Sequence, residues 1–180
     1  LLLIVEISRY HNILGGMIMI DTKIERLLNE QIQKEFNSAY IYLGMKEYLE
    51  TQNLEGFAHF FYMQAKEEVE HAMKISDYIN QKGGIVELEA IEKPEANFES
   101  PIDVFEKALA HERYITGSIY DILEISIKEK DHSSVAFLQW FVVEQDEEEA
   151  TMETILAKLN QVGLEGPGLL MLDEQLGKRE

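Results

Sequence analysis

The chain has 180 residues, no cysteine, and 34 acidic against 16 basic side chains, for a formal charge of −18. That length suits one domain with a sizeable core. The charge excludes the positive face that nucleic acid requires and disfavours an anionic membrane as partner, and the lack of cysteine excludes disulfides, thiolate zinc sites and iron–sulfur clusters.

In chain order, residues 1–20 begin apolar but are broken by Glu6, Arg9, His11, Gly15 and Gly16. They are too interrupted for a transmembrane helix and lack the basic start and cleavage site of a signal peptide. Met17 and Met19 stand just before a good helix start, so residues 1–20 read as an N-terminal extension and 21–180 as the functional domain. The absence of cysteine is compatible with a cytoplasmic location.

Helical periodicity dominates the rest. The first helix starts near Asp21 and Thr22, where Thr22 and Glu25 have capping-box spacing, and runs to about Thr51. Asn53 is the expected cap of a second helix, which runs to about Gln81 and stops at Gly83 and Gly84. Residues 85–100 carry no helical signal and read as an extended crossover. Ser100-Pro101 then forms an N-cap and first-turn pair for a third helix reaching about Lys130. Asp131 caps a fourth helix ending near Asn160, and the apolar stretch Leu169 to Leu176 reads as a short fifth. Short connections make helices one and two, and three and four, antiparallel neighbours. The crossover is long enough to span a helix of about 40 Å. The fold class is therefore all-α, a four-helix bundle of two hairpins joined by one long connection.

Each long helix places a carboxylate in its apolar stripe. Glu35 lies with Leu28, Ile32, Ala39 and Tyr42, and Glu68 and His71 lie with Phe57, Phe61, Gln64 and Ile75. Glu112 lies with Phe105, Ala108 and Ile115, and Glu148 with Leu138, Phe141 and Gln145. Converging carboxylates repel one another in an apolar interior unless a cation sits among them. Glu68 and His71, three apart, share a helix face and can bind one metal together. Oxygen donors with a single imidazole suit iron. Glu144, Glu147 and Glu148 cluster on one face at i, i+3 and i+4. His59, His111 and His132 read as surface or packing residues, and Trp140 as a core or interface aromatic.

The segments NEQIQKEFNSAYIY, QAKEEVEHAM, AHERYITGSIY and FLQWFVVEQDEEE resemble, in order and spacing, the four helix motifs of prokaryotic non-haem ferritins. The resemblance covers roughly residues 21 to 177. It implies a ferritin-like bundle that stores iron and acts as a ferroxidase, with Fe(II) and O2 or hydrogen peroxide as reactants. It further implies a di-iron centre in which Glu35, Glu68 and His71 bind the first iron, while Glu68 bridges to a second completed by Glu112 and Glu148. Gln145 would be a polar neighbour, and Tyr42 a tyrosine available for electron chemistry. Glu67, Glu144 and Glu147, sharing Glu148, would form a third iron site. A homo-oligomeric shell of twenty-four chains is implied, and haem is not expected despite Met63 and Met73. The alternative is a rubrerythrin-like di-iron peroxidase. Such enzymes carry a second Glu-x-x-His on helix four, where this chain reads Glu144-Gln145-Asp146-Glu147.

Overall fold

A computed structural model describes residues 20–178. Among the described residues five helices follow one another: α1 (Thr22–Thr51), α2 (Glu55–Gln81), α3 (Pro101–Lys128), α4 (His132–Val162) and α5 (Pro167–Leu176). The described residues contain no strand. The expected bundle is present: α1 packs on α2, α3 on α4, and α1 meets α3 between the hairpins. Residues 1–19 of the expected extension lie outside the described residues. Ile20, assigned to that extension from sequence, is buried.

Helix ends follow their caps. Asp21, rather than Thr22, caps α1: its Oδ1 accepts from Lys23 N at 2.8 Å. Glu25 does not close a capping box; its Oε1 accepts from Ile85 N at 2.7 Å. Asn53 is not the cap of α2, because its φ of 57° is left-handed whereas a cap needs extended backbone. Leu54 holds the cap position and offers no side-chain acceptor. That role passes to α5, where Asp173 Oδ1 accepts from Phe57 N at 2.9 Å. Ser100 and Asp131 cap α3 and α4 as expected. α3 stops at Lys128, with Lys130 left-handed at φ 59°, while α4 continues to Val162.

Residues 84–98 run without regular structure along α1. A row of amides one turn apart fastens them there. Asn29 Nδ2 donates to Ile85 O and Asn29 Oδ1 accepts from Glu87 N, Gln33 donates to Ala90 O, and Asn37 accepts from Glu92 N.

The apolar interior falls into two clusters. One, at the α1 start and α2 end, includes Ile24, Leu28, Ile32, Ile75, Ile79, Ile119 and Leu138. The other includes Met45, Leu49, Phe57, Phe60, Phe61, Phe105, Met152 and Leu159. α5 closes the second cluster with buried Leu172, and Leu169 and Leu176 pack against it, so these leucines face their own subunit. Leu170 and Met171 point outward. Between the clusters, at mid-height of all four long helices, the interior is polar.

Candidate metal centre

That polar layer is built by position along the helices. The buried polar side chains of α1 recur at Gln31, Glu35 and Ser38, ahead of buried Tyr42; α2 supplies Gln64, Glu68 and His71; α3 supplies Glu112; α4 supplies Gln145 and Glu148. All four in-stripe carboxylates are at most 5% exposed.

Among the described residues two groups of donor atoms come close enough to share an ion. In one, Glu35, Glu68 and His71 place one ligand atom each within 4.8 Å of the others; in the other, His71, Glu144 and Glu148 do so. His71 stands between the two, its Nδ1 3.6 Å from Glu68 Oε2. Glu112 belongs to neither triplet. Tyr42 Oη donates to its Oε1, and Gln145 Nε2 donates to its Oε2 at 3.0 Å. Gln64 Nε2 donates to Glu148 Oε2 at 2.7 Å. Glu67 is partly exposed beside Glu68, and Glu147 is exposed, lining a depression with Phe60, Thr151 and Lys158.

Electrostatics give these residues a shared character. Burial, then the neighbouring Glu68 carboxylate, pushes Glu35 up to about 8. Burial, then Glu148, pushes Glu112 up to about 8 and raises Glu68 well above the carboxylate range. Negative charge is thus costly here without a cation. Glu35 Oε1 accepts from Gln31 Nε2 at 2.9 Å, whereas the buried Glu35 Oε2 meets no donor. An acceptor held dry and without a donor fits a cation better than it fits a solely structural role. The donor set, oxygen-rich with one imidazole, fits iron.

Among the described residues, His59, His111 and His132 join neither triplet. His111 is partly buried with Nε2 2.7 Å from Ser38 Oγ, and desolvation pushes it down to about 4. Trp140 is partly exposed, with its ring edge-on to His71 at 5.4 Å and Lys74 Nζ 3.9 Å above its face. Sequence reasoning missed Gln31 and Ser118 as parts of the site. The available signal was the spacing of Gln31, Glu35, Ser38 and Tyr42 along one face of α1.

Known proteins resemble this chain in sequence and fold. A family model described as the ferritin-like domain matches residues 25–162. The bacterial non-heme ferritin of Campylobacter jejuni is 41% identical over 158 residues, 88% of this chain and 95% of that protein. That of Staphylococcus aureus is 37% identical over 161 residues, 89% and 97% of the respective chains. The solved open-pore ferritin of the archaeon Archaeoglobus fulgidus superposes with a TM-score of 0.88 at 40% identity, covering 89% of this chain and 99% of its own. A match that runs from the first turn of α1 to the end of α4, with relatives at this identity over nearly their whole length, shows that the chain belongs to the ferritin family.

Proposed function

We propose that this subunit takes up Fe(II) as substrate and oxidises it to Fe(III), with the product stored inside a homo-oligomeric shell of twenty-four chains in the cytoplasm. The observation that carries the proposal is the dry, unpartnered Glu35 Oε2 among converging carboxylates and one imidazole. Glu35, Glu68 and His71 hold one ferrous ion. Glu68, whose charge is felt by Glu35 and which itself feels Glu148, bridges to a second ion completed by Glu112 and Glu148. Two Fe(II) supply two electrons. O2 takes them with two protons to give hydrogen peroxide, or hydrogen peroxide takes them with two protons to give two waters. Tyr42, whose hydroxyl donates to Glu112, stands beside the site as the tyrosine available for electron chemistry. Glu67, Glu144 and Glu147, with Glu148, receive iron on its way out. The second position, Glu68 included, is all-carboxylate without imidazole, which favours release over retention. No haem is assigned.

The test is aerobic Fe(II) loading, read as assembly mass by size exclusion, iron retained per chain, and oxidation rate by stopped-flow absorbance. We expect a large assembly retaining many irons per chain. Glu68→Ala, losing the shared ligand, should abolish rapid oxidation and do more damage than Glu112→Ala. A monomer at micromolar concentration sinks the storage reading, and wild-type oxidation by Glu68→Ala sinks the site.

A further inference from the structure

A line of hydrogen bonds leaves the metal centre sideways, from α1 to α3. Lys34 Nζ lies 2.5 Å from Ser118 Oγ, Ser118 Oγ donates to Gln31 Oε1 at 2.6 Å, and Gln31 Nε2 donates to Glu35 Oε1 at 2.9 Å. Gln31 is 0% exposed and Ser118 8%. Lys34 is partly buried, its ammonium 5.7 Å from the centroid of the Tyr114 ring.

The direction of this line is fixed at its outer end. An ammonium has donors and no acceptor, so the Ser118 oxygen must accept from Lys34. The single proton of Ser118 is then left for Gln31 Oε1. With its carbonyl occupied, the Gln31 amide can present only its NH2 group to Glu35. Against an ionised Glu35, the flipped amide would set its oxygen against Glu35 Oε1 and its NH2 against the Ser118 hydroxyl proton. Three residues outside the ligand set therefore decide which Glu35 oxygen is occupied, and leave Oε2 as the one without a donor.

We propose that Gln31 and Ser118 are positioning residues that aim Glu35 Oε2 at the first metal position, with Lys34 setting the polarity of the line. The proposal rests on Glu35 being an iron ligand. Residues that orient a ligand act on metal affinity, and their loss typically costs about 10- to 100-fold.

The experiment uses the assembled protein and Co(II) alone as an anaerobic probe, with affinity and the intensity of the visible d–d absorption as readouts. Fe(II) oxidation is measured beside it as separate KM and kcat. Gln31→Leu, close in size and unable to donate, should weaken the tightest Co(II) site by about 10- to 100-fold and alter its absorption. In oxidation it should raise KM more than it lowers kcat. Ser118→Ala should act in the same direction, and Ser118→Thr, which keeps the hydroxyl, should restore wild-type behaviour. Glu35→Gln is the control and should lose the site. Wild-type Co(II) binding in Gln31→Leu, alongside loss in Glu35→Gln, overturns the positioning proposal alone. Wild-type binding in Glu35→Gln overturns the ligand reading beneath it. If Gln31→Leu does not fold, the Ser118 pair decides: equal binding by the alanine and threonine variants overturns the proposal.

Discussion

Glu35 and Glu112 both stand near pH 8 in the fold, against an ordinary value of 4.5. A carboxyl raised in the fold keeps a proton that the unfolded chain gives up. Its contribution to stability is whole below pH 4.5 and is lost as pH climbs through about 8. His111 has the opposite sign. Lowered from 6.5 to about 4, its contribution is present above pH 6.5 and lost as pH falls toward 4. The two effects separate between pH 6.5 and 8, where only the carboxyls change. The metal-free protein should therefore lose up to about 1 kcal/mol per pH unit per carboxyl over that window. Thermal melting should show this slope in wild type and a flatter one in the Glu35→Gln, Glu112→Gln double variant. A pH-independent wild-type melting temperature would mean the carboxyls are ionised in the fold. Exposure also ranks the candidate third-site residues. Glu144 reaches His71 and Glu148, whereas Glu147 faces outward. Glu144→Ala should change the iron-to-oxygen stoichiometry after the first irons more than Glu147→Ala does. Equal effects would place both residues in one site.

At the scale of the helices, α5 completes α2. Leu54 cannot cap, and Asp173 supplies the missing acceptor from the far end of the sequence. The approach is close: a Cβ on Gly56 would fall 1.8 Å from the Asp173 carbonyl oxygen. Asp173→Ala should cost about 1 kcal/mol, the usual worth of a cap. Gly56→Ala should cost more and free α5, exposing Leu172 and the cluster beneath it. Urea denaturation checks both, and limited proteolysis at residues 163–178 checks the second. Retained protection of α5 in Gly56→Ala would refute this docking. The sequence made the helices and the inward carboxylates legible, because a charge inside an apolar stripe stands out against its period. It hid partnerships between distant segments. Nothing local marks Asp173 as the cap of α2, and Asn53 looks like a cap until its backbone is seen to be left-handed. Gln31, Gln33 and Asn29 are ordinary helix residues in composition. Spacing puts Gln31 on the Glu35 face, but only the fold shows that it serves Glu35 while Gln33 and Asn29 fasten the crossover.

Across the whole subunit, the layer of ionisable groups divides one bundle into two apolar lobes. The helices run through the division unbroken, but cross-helix packing there depends on protons or metal rather than on hydrocarbon. The metal-free chain at pH 8 should therefore open in two steps, with the Phe57–Phe105 lobe and the Ile24–Ile119 lobe protecting their amides to different extents. Ions bound across the layer tie the lobes together. Amide hydrogen exchange with and without Co(II) should show two protection levels merging into one, and identical levels in both states would refute the division. Iron would then set the mechanical unity of its own container: the subunit is most pliable when empty and stiffens as cargo arrives.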